Sequence, residues 1–176
     1  MKKITNLCLA LVLLVITSSC SQAQKQSANS QSLNVEFQNS RAFSKEAFMA
    51  LKQGKLGERW LMVIWSLDCP ACFKELKLIQ DLQKANPNQT LNVIYLNADD
   101  SDEVAFERKQ VLAVYEMQNV ANFHFTDGQA DRSRYQIDPS WFGELPRSYF
   151  VNEKGEFHGK SGLLDEKLIT EWLLGK

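Results

Sequence analysis

The chain has 176 residues, 44% of them hydrophobic and 23% charged, and a formal net charge of −1 at pH 7. Once a targeting segment is set aside, that is the length and composition of one globular domain with a sizeable core. A charge near zero, with no basic cluster, gives no electrostatic ground for a nucleic-acid partner.

Residues 1–19 read as a signal peptide: a basic start at Lys2 and Lys3, then a short apolar run from Leu7 to Ile16. The run is too short and wrongly flanked for a membrane-spanning helix. Ile16-Thr17-Ser18-Ser19-Cys20 resembles a bacterial lipoprotein signal, in which Cys20 is acylated and becomes the first mature residue. Thr17 departs from the aliphatic residue usual at its place, and Ser21-Gln22-Ala23 offers an ordinary signal-peptidase site instead. The lipoprotein exit is favoured, because it explains a cysteine there. Either exit places the protein in the bacterial cell envelope, on the periplasmic side, lipid-anchored through Cys20 or soluble. Residues 20–34, rich in Ser, Gln, Asn and Ala, read as a flexible tether.

The domain is expected over residues 35–176. Val35, Glu36 and Phe37 alternate like a short edge strand. Residues 44–52 follow as a helix, with Phe43, Ala47, Phe48 and Leu51 on one face and Gly54 as its stop. Trp60 to Ile64 is an unbroken apolar run, as in a strand buried on both faces. Leu76, Ile79 and Leu82 then recur at helical spacing until Asn86-Pro87-Asn88 breaks the helix.

Between that strand and that helix lies Trp65-Ser66-Leu67-Asp68-Cys69-Pro70-Ala71-Cys72. Pro70 suits the first helical position, where no backbone donor is needed. Cys69 therefore stands at a helix N-terminus, where unpaired N–H groups and the helix dipole favour a thiolate. Cys72 lies one turn further on the same face, within reach of a disulfide. This is the arrangement of a dithiol redox centre. A zinc site would need a second pair of ligands, and His124 and His158 stand alone on strand-like runs, so no metal is expected. An inert structural disulfide would not explain why the pair opens a helix after a buried strand.

Further along, residues 91–96 form the next buried strand, and Asp100-Ser101-Asp102-Glu103 opens a helix running past Leu112 to Tyr115. Residues 122–126 are strand-like, Asp127-Gly128 is a turn, and residues 130–136 allow one or two helical turns. Residues 147–151 and 156–160 make a hairpin around Gly155, and Asp165 caps a last helix carrying Leu168, Ile169, Trp172 and Leu173. Strands joined by helices and closed by a hairpin give an α/β domain, a central mixed sheet flanked by helices.

With the W-S-x-x-C-P-x-C helix and the run from Gly143-Glu144-Leu145-Pro146 to Lys154-Gly155, the domain resembles the thioredoxin-like superfamily, and within it the exported TlpA-like thiol–disulfide oxidoreductases. The resemblance implies a thioredoxin-like fold over roughly residues 35–174. It implies that Cys69 and Cys72 are the catalytic pair, Cys69 attacking and Cys72 resolving, with no cofactor. It implies a cis bond at Pro146, leaving the Leu145 backbone to pair with an extended substrate. It implies as partners the protein thiols and disulfides of the envelope and an upstream electron donor or acceptor; the direction stays open between reductant, oxidant and isomerase, with the reductant favoured. Trp65 matches the aromatic residue usual before the motif, or it simply packs in the core.

Three departures stand out. Asp68 occupies the place where many relatives have Trp, and a carboxylate there opposes the Cys69 thiolate. Val63 stands where thioredoxin has a buried Asp that relays protons to the second cysteine. Residues 138–142 look inserted, and Trp141 and Phe142 either cover the core or form an apolar lip beside the site. Two rival functions remain open at this level: a thiol peroxidase, for which Met62 stands where a Pro is needed, and a copper-binding thioredoxin-fold module using a histidine.

Overall fold

The computed structural model describes residues 40–175. The signal peptide, Cys20, the tether and the strand expected at 35–37 lie outside the described residues. Six strands form one sheet: β1 (Arg41–Ala42), β2 (Trp60–Trp65), β3 (Val93–Asn97), β4 (Asn122–His124), β5 (Arg147–Val151) and β6 (Phe157–Ser161). Five α-helices connect and cover them: α1 (Lys45–Gly54), α2 (Pro70–Ala85), α3 (Ala105–Val114), α4 (Ala130–Ile137) and α5 (Glu166–Leu174). The strand order is β1-β4-β3-β2-β5-β6. β1 to β4 run parallel to one another, and β5 is antiparallel to both of its neighbours, β2 and β6.

β2 is central, and all six of its residues are at most 2% exposed. Burial on both faces explains why its sequence shows no alternation. Successive side chains still point to opposite faces. Leu61, Val63 and Trp65 pack with Leu76 and Ile79 of α2, Leu112 of α3 and Ile169 of α5. Trp60, Met62 and Ile64 pack with Phe48 of α1, and with Phe123, Phe125, Trp141 and Tyr149. Each such large side chain contributes about 1.5–3 kcal/mol relative to leaving it in water. The steps β2 to β3 and β3 to β4 move in one direction across the sheet, so their right-handed crossovers, α2 and α3, share a face; α1 crosses in the opposite direction and takes the other.

Local signals hold at most helix ends. The Ser44 hydroxyl accepts from the Ala47 N–H at 3.1 Å and the Asp165 carboxylate from the Leu168 N–H at 3.2 Å, each capping a helix. Gly155 turns the hairpin at φ 76°. Boundaries shift elsewhere. β3 begins at Val93 rather than 91, and β4 is only three residues long. The helix expected from residue 101 opens instead as a 3-10 turn, Asp102–Val104, capped by Ser101, before α3 starts. α4 runs eight residues, about the two turns allowed for it and one residue past the expected end. Arg41–Ala42 supplies an edge strand that no run in the sequence announced.

Candidate active site

The site stands where β2 ends. Trp65 is its last residue, 1% exposed, its ring centroid 6.5 Å from that of Phe73 on α2. Its place is in the core beneath the helix rather than on the surface of the site. The loop Ser66-Leu67-Asp68 then turns the chain, with the Cys69 N–H donating to the Ser66 carbonyl at 3.2 Å. Cys69 is the N-cap of α2 and Pro70 opens the helix, as the sequence foretold.

Cys69 and Cys72 are joined as a disulfide, with their Cα atoms 5.3 Å apart. The Cys72 backbone N–H points at the Cys69 sulfur, 3.2 Å away. An N–H already aimed at that sulfur is what a thiolate there would need, and the dipole of a 16-residue helix acts in the same direction. Cys69 is 8% exposed and Cys72 only 1%, so the outer sulfur belongs to Cys69. The side chain of Asp68 lies at an exposed position beside it, and its backbone N–H donates to the Ser66 hydroxyl at 3.2 Å.

The loop is tied to the tip of β3 by a residue the sequence reading passed over. The Asp99 carboxylate accepts from the Ser66 hydroxyl at 2.7 Å, the Leu67 N–H at 2.9 Å and the Asn97 amide at 2.6 Å. Asn97 in turn accepts from Arg108 Nε at 2.8 Å. Arg108 is 3% exposed, and its Nη2 also reaches the Ser101 carbonyl at 3.1 Å. Burial lowers the Arg108 pKa, and the charges of Asp99 and Asp102 oppose that fall. A chain of hydrogen bonds thus runs from α3 to the cysteine loop. Its members come from three elements far apart in sequence, so spacing alone gave no sign of it.

A second unforeseen group is Glu75. It follows Cys72 by three residues, one turn along the same face of α2, and is 1% exposed. Ser148 on β5 donates a short hydrogen bond to its Oε1, while Oε2 has no hydrogen-bond partner among the described residues. Burial pushes the carboxyl above the usual carboxylate range, only partly offset by Ser148 and the nearby Leu164 N–H. Val63 is indeed buried and apolar. A buried acid close to the second cysteine is nonetheless present, reached from the helix instead of the strand. The signal was a Glu in the apolar stripe next to Leu76.

The bond between Leu145 and Pro146 is cis. In the antiparallel register Ile64 faces Arg147. That pair ends the ladder, and Pro146 and Leu145 are the next two residues of the chain beyond it. The Leu145 side chain packs on both core faces. Trp141 and Phe142 part company: Trp141 is 3% exposed, and Phe142 is 87% exposed. His124 lies on β4 and His158 on β6, strands at opposite sides of β2 and each two places from it. His124 Nδ1 is 2.8 Å from the Ser40 hydroxyl. Two strand spacings put its backbone about 10 Å from that of Trp65. Among the described residues, no three His, Cys, Asp or Glu side chains gather as metal ligands.

A mixed sheet between helices, with a C-x-x-C disulfide at the helix terminus after the central strand and a cis-proline on the neighbouring strand, defines a thioredoxin-like thiol–disulfide oxidoreductase. The sequence is similar to sporulation thiol-disulfide oxidoreductase A of Bacillus subtilis, 26% identical over 119 residues, which is 66% of this chain and 67% of that protein. The fold is that of the thioredoxin domain of a thiol-disulfide oxidoreductase from Bacteroides vulgatus, with TM-score 0.53, 13% identity, and coverage of 69% of this chain and 83% of that one. It is also that of a thioredoxin-family thiol:disulfide interchange protein from Chlorobium tepidum, with TM-score 0.52, 11% identity, and coverage of 69% and 84%. No family model matches the chain.

Proposed function

We propose that this protein is an exported reductant that exchanges its Cys69–Cys72 dithiol with disulfides of partner proteins in the cell envelope. The observation that carries the reading is the Cys69 sulfur at the α2 N-terminus, held on the Cys72 N–H, with Cys72 buried behind it. The Cys69 thiolate attacks one sulfur of the partner disulfide, and the other leaves as a thiolate. Cys72 then gives up its proton and attacks the Cys69 sulfur. The second partner thiolate departs, and two electrons have passed to the partner. Glu75, its pKa raised by burial and one helical turn from Cys72, is the group placed to accept the Cys72 proton. The partner lies along the Leu145 backbone, whose N–H and carbonyl make no backbone hydrogen bond among the described residues. An upstream donor restores the dithiol.

Export rests on the sequence of residues 1–19, and anchoring on acylation of Cys20, with residues 20–34 as the tether and 35–176 as the working domain. The direction of electron flow is read from the reduction potential. Equilibrated against defined thiol buffers, the couple is expected near that of thioredoxin, about −270 mV; a value near −120 mV would make the protein an oxidant instead.

Asp68 is proposed to strengthen the reducing character. An exposed carboxylate beside Cys69 disfavours the thiolate and so the reduced form, but water and salt screen it. Asp68→Asn is expected to lower the Cys69 pKa by a fraction of a pH unit and to raise the potential. Thiolate absorbance titrated at low and high salt measures this. The difference between the two proteins should shrink at high salt, and an unchanged or raised pKa in Asp68→Asn would remove the proposed role.

A further inference from the structure

The inserted segment before Pro146 turns one aromatic side chain in and the next one out. Trp141 packs against Phe125, ring centroids 6.4 Å apart, and its indole N–H donates to the Glu144 carbonyl at 3.0 Å. Phe142, its immediate neighbour, is left in water. The loop that holds it there is not slack. Asp138 Oδ2 accepts from Arg147 Nη2 at 2.9 Å and the Tyr149 hydroxyl at 3.0 Å, and its Oδ1 accepts from the Ser140 N–H at 2.9 Å. The Glu144 carboxylate accepts from the Phe142 N–H at 3.2 Å and the Ser161 hydroxyl at 2.8 Å. Gly143 makes the reversal between Phe142 and Glu144 at φ +100°, a conformation side chains rarely allow.

Hydrogen bonds from β5 and β6 therefore fix the frame around Phe142, and none of them needs the ring. Asp138 and Glu144 both bond to Arg147, which offsets one of their two charges, and Phe142 is the exposed apolar side chain of the loop. The position matters as much as the exposure. Leu145 follows Phe142 by three residues, a span of at most about 10 Å, and it lies two residues before Arg147, which pairs with Ile64 at the end of the β2–β5 ladder. On the other side of Pro146, the Gly162 N–H donates to the Pro146 carbonyl at 2.9 Å, which brings the half-exposed Leu163 to the same edge.

We propose that Phe142 is a specificity-determining residue for the exchange reaction: it receives an apolar side chain of the extended partner segment, a few residues from the partner's cysteine. This rests on the docking along Leu145 proposed above. The occupant is a polypeptide, because a segment extended along Leu145, as proposed above, continues toward Phe142. Apolar contact is non-directional, so it selects for a class of flanking side chain rather than for one sequence.

The experiment uses the reduced full chain and three probes: oxidised glutathione, and two synthetic peptides whose single cysteine is disulfide-bonded to glutathione. One peptide carries Leu at the positions flanking that cysteine and the other carries Ser. The wild-type protein is expected to react about tenfold faster with the Leu peptide than with the Ser peptide, the preference that burial of one such contact gives. Phe142→Ser should remove that preference while leaving the rates with the Ser peptide and with oxidised glutathione within about twofold of wild type. Phe142→Leu should keep the preference. A Leu-to-Ser rate ratio unchanged in Phe142→Ser would overturn the proposal. Equal slowing with all three probes would also overturn it, since that marks a disturbed cysteine pair. A wild-type protein that reacts with oxidised glutathione but with neither peptide would instead strike down the docking reading, and this inference with it.

Discussion

Cys69→Ser is expected to abolish exchange, while Cys72→Ser is expected to stop it halfway, with a partner held on Cys69. The first removes the nucleophile, and a Ser hydroxyl is no substitute because it does not ionise near neutral pH. The loss should reach on the order of 10³-fold or more, as when one member of a catalytic unit is removed. The second leaves an outer thiol at a helix N-terminus that still attacks, but nothing behind it to resolve the bond. Mixed disulfides resolved on non-reducing gels, and released by dithiothreitol, would show the trapped state. Limiting iodoacetamide on the reduced wild-type protein should label Cys69, the more exposed sulfur. Labelling chiefly at Cys72 would reverse the roles.

Glu75→Gln should change two properties at once, in ways that a purely structural residue would not. The Glu75 pKa is raised by burial, so the folded protein keeps its proton to higher pH than the unfolded chain does. The stability this gives is present in full below the unfolded value. It is lost as pH rises toward and through the folded value. Gln has the size of the protonated acid and never ionises, so the variant should match the wild type in acid and surpass it as pH rises. The gain should grow with pH until the wild-type carboxyl has ionised, because only the wild type must then bury a charge. Urea unfolding of the oxidised protein at several pH values measures it. The second effect is kinetic. Without a proton acceptor one turn from Cys72, resolution of the mixed disulfide should slow by about 10²-fold, in the range of general-base contributions. Attack by Cys69 should stay unaffected. Equal stability at every pH, with an unchanged resolution rate, would leave Glu75 as packing only.

The elements that carry the chemistry were legible because local physics forms them. An unbroken apolar run such as 60–65 fits a central strand buried on both faces, and Pro70 after Cys69 fits a helix start. Asp165 caps the helix it was expected to cap, and Ser44, read as the first residue of its helix, is that helix's N-cap. These follow from spacing within a few residues, and so does the nearness of Cys69 to Cys72. The fold class followed from the order of such elements and from a resemblance carried by the cysteine motif and the Gly143–Gly155 stretch.

What lay beyond the sequence was every contact made across long separations. Asp99 is 33 residues from Ser66, and Ser148 is 73 from Glu75; only the strand order brings each pair together. Glu75 read as one more charged residue of an amphipathic helix, because spacing does not say that β5 and the segment before α5 close over that turn. The choice between Trp141 and Phe142 was decided the same way. Both are large aromatics in adjacent positions, and their sequence context is the same. Glu144 takes the Phe142 N–H and the Trp141 indole N–H, and only one of the two rings then faces the sheet. The sequence by itself determined where a redox pair sits and how its helix begins. The tertiary structure decided which acid lies behind it and which aromatic ring meets solvent, because burial belongs to the packed whole and not to any one segment.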